Sequence, residues 1–214
     1  MIELAPLFQT VADVMMQNRE SLNRADVSNA NHGDNMVEIF DLATLAASEK
    51  AGEPLSAAMS DSAQSLSHLV ENGSAQVYAN GLSAFADKFA ERDIDLDDLV
   101  RYVQGVLQGD NYESVPESTA VSNETKSGDV LKALLAGLAG WQKTKREDSK
   151  INPLDVSYLF DLGVAYMQAK ARGGSKAEII ANAAVSVSPL DAVPYRAESG
   201  KLAIRTLLEA MQSS

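Results

Sequence analysis

Apolar residues recur at three- and four-residue steps along nearly all of this 214-residue chain. That period is the signature of amphipathic helices packed by one face. Leu4, Leu7, Val11, Val14 and Met15 form one stripe, and Met36, Ile39, Phe40, Ala43, Ala46 and Ala47 form a second that stops near Gly52-Glu53-Pro54. Pro54 suits the first turn of a third helix, where its missing N–H costs nothing. That helix carries Leu55, Met59, Leu66, Leu69 and Val70 and is expected to end at Asn72-Gly73. A fourth runs from about Ser74 through Tyr78, Leu82, Phe85 and Phe89. Alternation of the strand type never extends beyond about four residues, so sheets are excluded.

Asp95 reads as the N-cap of a fifth helix, with Asp97 and Asp98 favouring the positive end of its dipole. Between Gly109 and Gly128 the composition turns to Ser, Thr, Asn and Glu, and a long mobile loop is expected there. Helices then follow around Val130–Trp141, after Pro153, around Ile179–Ala184 and around Leu202–Met211. Short connections make sequential helices antiparallel neighbours. The expected fold is all-α, an antiparallel up-and-down barrel or bundle of about eight helices, in one domain spanning the chain.

Composition removes whole classes of function. With 18 Lys and Arg against 30 Asp and Glu, and a net charge of −12, the chain lacks the basic stripe that tracks nucleic-acid phosphates. It has no cysteine, which excludes disulfides, thiol nucleophiles and thiolate metal sites. No apolar run approaches the roughly 18–20 residues of a membrane span. Met1-Ile2-Glu3-Leu4 does not read as a signal peptide, so a cytoplasmic location is expected.

Of the two histidines, His68 falls within the third helical pattern and reads as an ordinary helix residue. His32 lies in Asn29-Ala30-Asn31-His32-Gly33-Asp34-Asn35-Met36, a dense run of short polar side chains that enters a helix at Asn35-Met36. Such a loop offers backbone N–H groups and a positive dipole end to an anion. Equally, it can be a plain Asn/Asp/Gly turn that caps a helix.

This segment resembles Asp-Gly-Asp-His-Gly-x-Asn-Met, the signature loop of the nucleotide-binding, DhaL-type domain of the dihydroxyacetone (glycerone) kinase family, also present in fatty-acid kinases. Further similarities follow in order. Asn72-Gly73-Ser74-Ala75-Gln76-Val77-Tyr78 resembles Gly-Gly-x-Ser-Gly-x-Leu-Tyr. Leu96-Asp97-Asp98-Leu99 with Gly105-Val106-Leu107-Gln108-Gly109 is similar to the next family helix. Ser127-Gly128-Asp129-Val130-Leu131 resembles Gly-Asp-Lys-Thr-Met-Leu, and Ser188-Pro189-Leu190 and Glu198-Ser199-Gly200 resemble Ser-Tyr-Leu and Asp-Pro-Gly. The resemblance implies an eight-helix antiparallel barrel with ADP or ATP at one end, held through Mg2+, and a separate substrate-binding kinase subunit as partner; a homodimer is a further expectation. It places His32, Gly33, Asp34, Asn35, Gly73, Ser74, Gly128, Glu198, Ser199 and Gly200 around the nucleotide, with Gly73, Ser74, Ser199 and Gly200 offering backbone donors.

The departures fall on the charged positions. Asn29 and Asn31 stand where the family has metal-binding aspartates, and Asp26 and Asp34 are the nearest carboxylates, neither at the family spacing. The upstream family aspartate corresponds to Asn23 or Arg24, and Ser186 replaces a nucleotide-contacting arginine. Asn29, Asn31 and Asp26 are thus the metal-ligand set that this resemblance leaves. Magnesium needs hard anionic oxygens, so the loss weakens a metal–phosphate cluster. Two functions follow from the resemblance: phosphoryl transfer to a small ketone or acyl substrate, or a non-catalytic binding or regulatory module that keeps the helical scaffold and takes an apolar ligand or a protein partner. A third reading is a plain helical bundle, in which the Asn-rich turn only caps a helix.

Overall fold

A computed structural model describes residues 3–108 and 156–214. Among the described residues there are eight α-helices and no strand: α1 (Leu4–Ala25), α2 (His32–Glu49), α3 (Leu55–Ser67), α4 (Gly73–Arg92), α5 (Leu96–Gln108), α6 (Val156–Arg172), α7 (Lys176–Ser186) and α8 (Pro194–Ser213). A 3-10 turn, Pro189–Ala192, precedes α8. The fold is an all-α helical bundle. The expected loop at 109–128, the helix around Val130–Trp141, the role of Pro153 and the site residue Gly128 lie outside the described residues.

Helices α1 to α4 pack each against the next, and α8 returns to lie on α1, α2, α5 and α7. The core they share is continuous. Met15, Met36, Ile39 and Phe89 are fully enclosed in it. Phe40 links Phe8 and Tyr78, with ring centroids 6.3 and 5.4 Å apart. Burial of aromatic and aliphatic side chains of this size supplies most of the driving force for the bundle.

Local chemistry sets the helix starts. Asp95 Oδ1 accepts the Asp98 N–H at 2.7 Å, the cap expected from the sequence. Asn72 Oδ1 accepts the N–H groups of Ser74 and Ala75, each at 3.1 Å, and starts α4. Pro54 stands as the N-cap of α3 and Pro194 opens α8.

Two boundaries differ from expectation. Helix α2 begins at His32, four residues before Met36, because its cap comes from another helix: Asn23 of α1 binds the N–H groups of Gly33 and Asp34. Helix α3 ends at Ser67, so His68 is an exposed C-cap residue. The chain then turns through Leu69–Glu71, which frees Asn72 to cap α4 and leaves Val70 exposed.

Candidate functional site

One end of the bundle brings together the α1–α2 connection, the start of α4 and the first turns of α8. His32 Nε2 lies 2.8 Å from Ser199 Oγ, a contact between residues 167 apart in sequence. The His32 ring packs on Tyr195 with centroids 4.7 Å apart. Asn72 Nδ2 donates to the Asn35 carbonyl at 3.5 Å, tying the start of α4 to α2. The Arg196 guanidinium lies against Gly73: a Cβ there would stand 2.8 Å from Nη2 and 3.3 Å from Nη1. Three segments far apart in sequence, around His32, Gly73 and Ser199, therefore meet at this end.

Gly33 has a backbone reason to be glycine. Any Cβ at this position would collide with the carbonyl oxygen of Arg19, so its absence lets α2 start directly against α1. Gly200 is similarly close-packed, since a Cβ would sit 2.7 Å from Leu190 Cδ1.

The His32–Ser199 pair has the spacing of a base and a nucleophile, with Asp26 nearby. Its setting is structural. Ser199 is only 1% exposed, which denies a substrate access to the hydroxyl. Its hydroxyl donates to the Arg196 carbonyl at 3.1 Å, so both of its near neighbours are within the bundle. The Asp26 carboxylate accepts the Ser28 N–H at 3.0 Å, which shapes the connection after α1. Burial pulls the His32 pKa from 6.5 down to about 4; Arg196 acts in the same direction, while Asp26 and the Tyr195 backbone oppose it. His32 is therefore neutral near pH 7 and serves as a clamp between α2 and α8.

The expected backbone donors are mostly committed within the chain. Asn23 Oδ1 occupies the N–H groups of Gly33 at 2.6 Å and Asp34 at 3.2 Å, and Asn72 occupies those of Ser74 and Ala75. Ser199 and Gly200 lie inside α8, where their N–H groups belong to the helix ladder rather than to a ligand. Glu198 is exposed and pairs with Lys201 at 3.3 Å.

The residues do not form a magnesium cage. Asp34 points to Arg19 at 3.6 Å and accepts from Asn23 at 2.8 Å. Asn31 Oδ1 accepts from Asn35 at 3.0 Å, and Asn29 is exposed in a connection where Ala30 takes φ 55°. Asp26 alone of the proposed set is a buried carboxylate. Among the described residues no group of three or more His, Asp or Glu side chains is placed to hold a metal ion. A divalent ion with its preference for several anionic oxygens does not fit this arrangement.

Tyr195 and Arg196 belong to the site and are not singled out by the sequence, and Asn23 joins them there. Asn23 carries the one sequence signal, since it falls where the resemblance lacks its upstream aspartate. Arg196 lies close to the Glu198-Ser199-Gly200 motif but outside it. In comparisons with family models, curated proteins and solved structures, no match to this chain is found.

Proposed function

We propose that this chain is a divergent DhaL-like domain acting as a non-catalytic binding or regulatory module, with its ligand at the end where α1–α2, α4 and α8 converge. The observation that carries the reading is the meeting of His32, Gly73 and Ser199 at one end of the bundle, combined with carboxylates that are turned to other tasks. Asp34 pairs with Arg19, and Asp26 supports a turn. Phosphoryl transfer through a magnesium–phosphate cluster would need those charges gathered at the phosphates. The apolar-ligand alternative is less favoured, because Phe8, Phe40 and Tyr78 fill the interior between α1, α2 and α4. A nucleoside diphosphate is the first ligand to try, and a separate subunit the natural recipient of the signal.

Calorimetric titration with ADP, with and without millimolar magnesium, tests the reading. It expects micromolar binding that magnesium does not strengthen. Binding that depends on magnesium, accompanied by phosphoryl transfer to dihydroxyacetone or another small hydroxy-ketone, would restore the enzymatic reading. Absence of heat up to millimolar ADP would remove the nucleotide from this end.

A further inference from the structure

We propose that the cleft at the far end of the bundle, away from His32 and Ser199, is a docking site for a basic segment of a partner protein, which inserts a lysine or arginine side chain. The cleft holds about 290 Å³ and lies where the starts of α1, α3 and α5 meet the end of α2. Leu4, Leu55, Ala58 and Leu96 form its apolar floor. Glu3, Glu53, Asp95 and Asp97 stand around that floor. Among the described residues the one basic side chain in the lining is Lys50, whose ammonium lies 3.4 Å from Glu53. The rim therefore keeps a net negative charge.

Acidic residues at helix starts are ordinary on their own, since they face the positive pole of the dipole. This set differs in two ways. Glu3 stands at the N-cap of α1 without a side-chain capping bond. The carboxylates also surround an open apolar depression, with the negative pole of α2 beside them at Lys50. A purely apolar ligand would set itself against a rim of like charge, and a metal ion would leave the floor bare. A lysine or arginine side chain suits both, because its methylene stem covers apolar surface while its charged head stays at the wet rim. The net charge of −12 draws a basic partner towards the chain at long range. Exposed ion pairs contribute little each, so the contact is weak, reversible and sensitive to salt. The cleft shares no residue with the His32 end, so either site can exist without the other.

The test is backbone amide NMR of the full chain at low salt while an amidated peptide of alternating lysine and glycine is titrated. Saturable shifts confined to residues 3–4, 47–58 and 94–97 are expected. Glu3→Lys combined with Glu53→Lys should weaken binding about tenfold. A matched peptide with diaminopropionic acid in place of lysine keeps the charge but shortens the stem, and should bind about fivefold more weakly. Equal binding of the two peptides, or shifts spread over the acidic surface, would reduce the effect to charge alone and overturn the cleft. Spermidine binding as tightly as the lysine peptide would put a small polyamine in place of a protein segment and overturn the partner. Silence with the lysine peptide overturns the docking site outright. Because the shifts are read in the unaltered protein, the outcome stands even if the variant fails to fold.

Discussion

Where the α1–α2 and α3–α4 connections meet the first turns of α8, the enclosed residues include Asp26, His32, Asn72, Ser74 and Ser199. At the opposite end, around the α2–α3 turn and the start of α5, the enclosed residues are mostly apolar, Leu4, Leu55, Ala58, Ile94 and Leu96, with Asp98 a buried carboxylate beside them. There a cleft of about 290 Å³ has an apolar floor, with Glu3, Glu53, Asp95 and Asp97 at its lining. Both ends join helices with tight connections, so connectivity alone does not require buried polar groups. The polar end costs desolvation, and each group there has to be matched by a partner. The proposed ligand lies at the end that carries most of these buried polar groups.

The largest effect should come from the apolar interior that both ends share. Phe40→Ala removes the ring between Phe8 and Tyr78 and should cost about 4 kcal/mol in urea unfolding. Next is Gly33→Ala, at about 3 kcal/mol, because backbone rather than a flexible side chain blocks the new methyl. A loss below about 1 kcal/mol would show that α2 does not start against α1 as described.

The pH dependence separates the ends further. The unfolded chain protonates His32 near 6.5 and the folded chain near 4, so between these values the unfolded state binds more protons. Stability from this source is therefore full above about pH 6.5, declines as pH falls towards 4, and changes no further below that. The expected loss is of the order of 1–3 kcal/mol, and His32→Gln should flatten this part of the profile. A profile identical in the two proteins would remove the buried neutral clamp.

Smaller changes compare the two ends directly. Asn72→Ala uncaps Ser74 and Ala75 and should cost about 1 kcal/mol, with weaker attachment of α4 to α2. Gly52→Ala, at φ 82° and with open space around it, should cost about 0.5–1 kcal/mol through backbone strain alone. Equal losses for Gly33→Ala and Gly52→Ala would erase the distinction between close approach and simple turn geometry.

Much of the helical order was legible because it rests on local patterns. The stripe from Leu4 to Met15, the stop at Gly52-Glu53-Pro54 and the Asp95 cap each depend on residues a few positions apart. The start of α2 was not legible in that way, because the cap of Gly33 and Asp34 is Asn23, ten residues upstream and on another helix. The end of α3 was hidden for a related reason: Leu69 and Val70 continue the apolar period, but the chain turns to bring Asn72 to α4. Of the site, His32, Gly33, Gly73 and Ser199 could be read from the motif resemblance. Tyr195 and Arg196 could not, since their roles arise only when α8 folds back onto α2 and α4.

The most direct test of the contrast between the two ends is backbone amide shift mapping during an ADP titration in EDTA. The account predicts saturable shifts confined to residues 23–36, 72–75 and 193–200, with residues 47–58 and 94–97 unmoved. Shifts centred on the opposite end, or spread evenly over the bundle, would contradict it.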